Sequence, residues 1–300
     1  MKAAKLKEYG GSDQIDIVEV NEPILREDEV IVSVVASSIN PVDVKTMTPG
    51  TIQQIQRFPV TLGWDIAGIV TETSSKSTLK IGDRVIGMNP PNSMGEGSWQ
   101  QKVVISQQKL VKLPEDIDLY TAASLPLGAL TAYQALSRLT FTSDSKLLVT
   151  GALGSVGGYA IQLAKLQGID VSGLVREKSQ KETVLKLGAS TVYSNLDSLP
   201  EFDTVFDTAG IVHHPEILKE NGQLITVSDE EISEAVNAHA SLADHNYVRQ
   251  NSKVLQHLVD LVAQDKLTLR IAENYNFHNL REALEFFNQG GHNGKIIISF

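Results

Sequence analysis

Two rhythms of apolar and polar positions divide the chain. Up to about residue 113, apolar residues come in short runs, over 30–36, 66–70, 84–86 and 109–113, separated by Gly, Pro, Ser and Asp. Helical spacing is scarce there, so this region is predicted to be β-rich. From about Tyr120 the rhythm alternates. Strands are predicted over 146–150, 170–175, 191–193, 204–207 and 223–227, with helices near 156–167, 178–187 and 213–220 between them. Val156, Ala160, Leu163 and Ala164 share one face of the first of these helices, as burial against a sheet requires. Alternating strands and helices predict an α/β fold with a parallel sheet and crossover helices. The tail changes again, with a helix near 248–264, a short apolar stretch over 267–271, a helix near 280–288 and a last strand over 295–300. That last strand is free to rejoin the first region and make it discontinuous. Three hundred residues exceed the usual size of one domain, so two are expected.

Composition narrows the partners. A net charge of -10 disfavours nucleic acid. There is no cysteine, which removes disulfides, thiolate nucleophiles and thiolate zinc sites. Residues 1–11 contain no apolar signal-peptide core, and no apolar run is long enough to span a membrane. The expectation is a cytoplasmic protein with no membrane and no nucleic-acid partner.

The candidate chemistry begins where a predicted strand runs into Gly151-Ala152-Leu-Gly154-Ser155-Val156-Gly157 and then into a helix. Strand, glycine turn and helix follow without spare residues. Glycines permit positive φ and close approach of backbone amides to a pyrophosphate, and the helix N-terminus adds unpaired N–H groups. The next strand ends at Val175, where an NAD-selective site carries an acid against the ribose 2′-hydroxyl. Arg176 follows at once and Lys178 shortly after, two cations suited to a 2′-phosphate, so NADPH is the expected cofactor. The competing readings are NAD held by Glu177, or a solvated helix start.

Five blocks in order then identify a relative. Asn40-Pro41-Val-Asp43-Val-Lys45, Pro59-Val-Thr-Leu-Gly63-Trp64-Asp65-Ile-Ala-Gly68, Gly82-Asp-Arg-Val85, the stretch from Ala122 through Thr131 to Tyr133, and the glycine turn resemble the zinc-free quinone oxidoreductase and enone reductase branch of the medium-chain dehydrogenase/reductase superfamily. The likeness covers nearly the whole chain. It implies a doubly wound Rossmann domain over 119–261 and a discontinuous, β-rich GroES-like catalytic domain over 1–118 and 262–300, assembled as a homodimer. Zinc-dependent relatives carry Cys where Asn40 stands and His where Trp64 stands; an amide and an indole are poor zinc ligands, so no metal is expected. Two features depart from the branch. Tyr193 comes about two places early for its cofactor-contacting Tyr, and Gly291-His-Asn-Gly294-Lys295 is one residue short.

Without a Lewis acid, hydride transfer needs an acceptor that spreads negative charge, which favours quinones and α,β-unsaturated carbonyls over simple ketones. The residues expected to serve that charge are Asn40 and Lys45, with Asp43 orienting their loop and Trp64 walling the nicotinamide pocket. The competing readings are an Asx turn for Asn40, a surface lysine for Lys45 and a core aromatic for Trp64. Thr131 resembles a position near the nicotinamide, and a helix hydroxyl bonded to its own backbone is its alternative. Asp207, Thr208, Val227 and Ser228 follow the fourth and fifth strands, where a doubly wound sheet brings its loops to the cofactor. His213 and His214, adjacent at a predicted helix start, do not share a face, and neither they nor His239 and His245 are expected to bind metal. Two alternatives to the quinone or enone reductase are a reductase of acryloyl-type thioesters and a weakly catalytic NADPH-binding sensor.

Overall fold

The computed structural model describes residues 1–50, 55–91 and 96–300. By contact the chain divides into two units, one of Met1–Leu127 with Gln250–Phe300 and one of Gly128–Arg249. The resemblance implies boundaries near 118 and 262. In the structure, Leu119–Ala122 packs on strands of the first unit, and so does the helix Ser252–Ala263.

The first unit is built on a mixed sheet in the order Ile271–Asn276, Lys295–Ser299, Glu29–Ile39, Asp65–Thr73, Arg84–Met88 and Leu110–Lys112, with Lys102–Ser106 paired to the N-terminal half of Glu29–Ile39. Glu29–Ile39 is central, and its β-branched run is buried along most of its length. The last strand joins it antiparallel, with Ile297 opposite Ser38. The C-terminal segment therefore completes the first unit's sheet, as the discontinuous reading expects. Past the apolar stretch over 267–271 the tail forms the strand Ile271–Asn276, whose parallel pairing with Lys295–Ser299 begins at Ile271. A separate antiparallel pair, Lys2–Leu6 with Ile15–Glu19, helps cover a core that includes Leu6, Ile39, Leu62, Trp99 and Leu284.

The second unit is a six-stranded, wholly parallel sheet. Counting its strands along the chain as Lys146–Thr150, Asp170–Leu174, Thr191–Tyr193, Phe202–Asp207, Leu218–Thr226 and Leu242–His245, their spatial order is 3-2-1-4-5-6. That order is the doubly wound one, with its reversal between the first and fourth strands. The chain thus has the expected α/β architecture. One expected helix is absent. The stretch 213–220 forms a single 3-10 turn, Pro215–Ile217, and then enters the fifth strand, since Leu218 pairs with Phe202 and buries its side chain. The helix Pro126–Leu136 has no amphipathic rhythm because nearly all of it is buried. Among the described residues no helix is long and apolar enough to cross a membrane.

Candidate active site

Two of the residues singled out in the first unit, Asn40 and Asp43, meet in a buried polar cluster with Asp65 and Lys295. Asn40 ends the central strand and caps the short helix Pro41–Thr46. Its own N–H donates to Asp43 Oδ2 at 2.9 Å, three residues on, as in a capping box. The other Asp43 oxygen accepts from the Gly63 N–H at 2.9 Å, so one carboxyl fixes both the helix start and the Gly63–Asp65 turn. The Asn40 side chain is fully buried. Its Nδ2 donates to Asp65 Oδ2 at 2.9 Å, and its Oδ1 accepts from the Lys295 ammonium. Asp65 also accepts from the Ser38 hydroxyl and, at 2.8 Å, from the Leu127 N–H, while Lys295 Nζ lies 3.3 Å from its Oδ2. Lys295 and Asp65 are 4% and 0% exposed, so they form a buried ion pair whose remaining valences are hydrogen-bonded.

Asp43 is the titrating member. Burial pushes its carboxyl from 3.8 up to about 7. The Asn40 N–H pulls it back, the Asp65 carboxylate adds to the rise, and Lys295 and the Gly63 N–H lower it again. The folded chain therefore binds more protons than the unfolded chain between about pH 4 and 7. Folding stability from this group is present at low pH and is lost as pH rises through the folded value, opposite to a salt-bridged aspartate. Urea unfolding of wild type and Asp43→Asn across that range should show the wild type losing stability relative to the variant as pH rises. A difference that does not change with pH would refute the raised value.

Lys45 is half-buried on the same short helix. Trp64 is 7% exposed, held between Gly63 and Asp65, and its carbonyl accepts from the Asn89 N–H at 2.7 Å. Its indole Nε1 is buried without a partner among the described residues.

The second unit gathers the glycine turn and the ends of three strands. Gly151 has φ +57°, and a Cβ on Gly157 would lie 2.3 Å from the Gly151 carbonyl oxygen, so both positions need glycine. Ala152 is buried and its N–H donates to Leu174 O at 3.1 Å. The helix Ser155–Leu166 starts with Gly154 as its N-cap and with no side-chain cap. Its first-turn N–H groups are therefore available to an anion. Ser155 places a buried, unpartnered hydroxyl at that start, followed by a partly exposed Val156.

Asp207 turns out to organise the edge beside this turn. It accepts from Thr150 Oγ1 at 2.6 Å and Thr226 Oγ1 at 2.7 Å, and its carboxylate also receives the N–H groups of Ala209, Gly210 and Ile211. Thr208 Oγ1 donates to Thr150 O, Val227 N–H donates to Asp207 O, and Ser228 N–H donates to Thr226 Oγ1. Thr131 is buried on Pro126–Leu136. Val175 is buried, whereas Arg176 and Lys178 are exposed and their side chains have no partner among the described residues. Glu177 instead caps the 3-10 turn Lys178–Gln180 and accepts from the Ser179 hydroxyl. Tyr193 packs edge-on against Phe202. His214 pairs with Glu216 and His213 lies 3.5 Å from Glu230, while His239 and His245 bond backbone carbonyls.

Sequence reasoning missed Asp65 and Lys295 as partners of Asn40. The available signal was a lysine opening an otherwise apolar final strand, Lys295-Ile-Ile-Ile, where a buried cation needs a buried anion.

Residues 26–115 match the family model for the alcohol dehydrogenase GroES-like domain, and residues 179–298 match the model for zinc-binding dehydrogenase. The chain is 30% identical to a chloroplast envelope quinone oxidoreductase homolog of Arabidopsis thaliana, covering 99% of this chain and 98% of that protein. It is 31% identical to the chloroplastic NADPH-dependent alkenal/one oxidoreductase of the same plant, over 76% of this chain and 62% of that one. The solved quinone oxidoreductase from Coxiella burnetii superposes with a TM-score of 0.92 at 27% identity, covering 100% of this chain and 99% of its own. Strand order, the glycine turn and these matches agree: the chain belongs to the medium-chain dehydrogenase/reductase superfamily, in its quinone oxidoreductase and enone reductase branch.

Proposed function

We propose that this protein is an NADPH-dependent, zinc-independent oxidoreductase that delivers hydride to a quinone or an α,β-unsaturated carbonyl. The observation that carries the reading is the uncapped helix start at Gly154–Ser155 beside the free cations Arg176 and Lys178. The fit of a dinucleotide is supported by a turn that needs glycine at 151 and 157 and by the orphaned Ser155 hydroxyl. Bound NADPH supplies the hydride.

In this reading Gly151, Ala152 and Gly154 shape the turn, the last two through N–H groups donated to Leu174 O and Gly151 O, and Ser155, Val156 and Gly157 present backbone N–H groups to the pyrophosphate. Arg176 and Lys178 take the 2′-phosphate, Arg176 with two parallel N–H donors. Asp207 holds the loop of Thr208 in place through hydrogen bonds from five residues, and Thr131, Val227 and Ser228 serve the nicotinamide end. Lys45 is the donor assigned to the oxygen that gains charge, Trp64 lines its pocket, and Asp43 positions the helix start. Asn40, expected from sequence as a second donor, is fully buried with its amide taken up by Asp65 and Lys295, so it orders the cluster instead of meeting substrate. Zinc independence is supported by the donor set itself. Asn40 Oδ1 already accepts from an ammonium, and a second cation at that oxygen would be repelled.

NADPH oxidation measured with a panel of quinones, enones and acyl thioesters tests the substrate class; turnover of thioesters alone would overturn it. Arg176→Ala should weaken NADPH binding about ten- to hundredfold, the worth of a charge-assisted contact, and leave NADH binding unchanged. Equal losses for both cofactors would remove Arg176 from the 2′-phosphate.

A further inference from the structure

Asn246 is the first residue past the sixth strand of the parallel sheet, Leu242–His245. Only its backbone is engaged, through an N–H donated to Thr226 O at 2.8 Å. The residue is 7% exposed, and its side-chain amide has no hydrogen-bond partner among the described residues, with Nδ2 buried. Buried amides are ordinarily paired, so an orphan at a functional edge calls for a ligand group.

Position says which group. Dinucleotides lie along the carboxyl ends of a doubly wound sheet, with the pyrophosphate at the first strand's glycine turn and one mononucleotide over each half. The adenine side belongs to the second strand, which ends beside Arg176. The other side is the fourth, fifth and sixth strands. Asn246 stands three strands from the glycine turn, or about 14 Å at the usual strand spacing. A ribose and a pyridine ring span that interval. A phosphate needs donors alone, whereas an amide offers one donor and one acceptor side by side, and another primary amide is its complement.

We propose that the Asn246 side chain pairs with the carboxamide of the nicotinamide ring and so fixes the ring's orientation, an inference that rests on the dinucleotide reading above. The test is binding, not turnover. Wild type and Asn246→Ala are titrated with NADPH, with 2′,5′-ADP, which has no nicotinamide, and with the NADPH analogue whose carboxamide is an acetyl group. Asn246→Ala should bind NADPH about tenfold more weakly, the worth of one or two net hydrogen bonds. It should bind 2′,5′-ADP as wild type does, and it should lose the wild type's preference for NADPH over the acetyl analogue. Asn246→Asp keeps the shape and the acceptor but not the donor. It should retain more affinity for NADPH than for the acetyl analogue, which has no N–H to give. An unchanged preference in Asn246→Ala, or a parallel loss of 2′,5′-ADP binding, overturns the assignment. If wild type binds neither NADPH nor 2′,5′-ADP, the dinucleotide reading itself fails.

Discussion

Replacing Lys295 by methionine is expected to lower unfolding free energy by about 3–5 kcal/mol, the cost of leaving a buried charge without its partner. The ammonium is 4% exposed and touches both Asn40 Oδ1 and Asp65 Oδ2. Removing it leaves Asp65, which is wholly buried, with an uncompensated charge facing the Asp43 carboxyl. The cluster also ties the last strand to the turn of Trp64 and the start of the Asn40 helix, so the loss should appear as one cooperative shift in the urea midpoint. Pairing the change with Asp65→Asn removes the stranded charge and should recover at least about half of the loss, since buried ion pairs are worth less than the penalty for breaking them. A single variant within about 1 kcal/mol of wild type would mean that water already reaches this pair.

The second large effect is at the glycine turn. Gly157→Ala puts a methyl 2.3 Å from the Gly151 carbonyl oxygen, which is backbone and cannot rotate away. The turn must open, at a cost of about 3 kcal/mol, and NADPH affinity should fall at least about tenfold because the N–H groups lose their common direction. Gly154→Ala is the matched control. Its Cβ would meet the same oxygen at 3.1 Å and its φ of -66° suits any residue, so a cost below about 1 kcal/mol is expected. Urea unfolding and fluorescence titration with NADPH measure both. An equal or greater loss in Gly154→Ala would show that crowding against Gly151 does not govern the turn.

What could be read from sequence follows the range of the forces involved. The glycine turn, its flanking strand and helix, and the Arg176 step were legible because backbone reach and helix-end geometry are set within a few residues. The parallel sheet was legible for the same reason, as period changes along each stretch. The expected helix over 213–220 failed because its alternative lay elsewhere: Phe202 offered Leu218 a ladder partner, and pairing in a buried sheet outweighs local propensity.

Sequence alone determined the fold class, the place of the glycine turn and the cations that follow the second strand of the parallel sheet. Tertiary structure decided what Asn40 does with its amide. Its partner Lys295 lies 255 positions away, and only the antiparallel return of the last strand onto Glu29–Ile39 brings the two together. It also decided that Asp43 titrates near 7, because a carboxyl's proton affinity depends on how completely the surrounding elements exclude water.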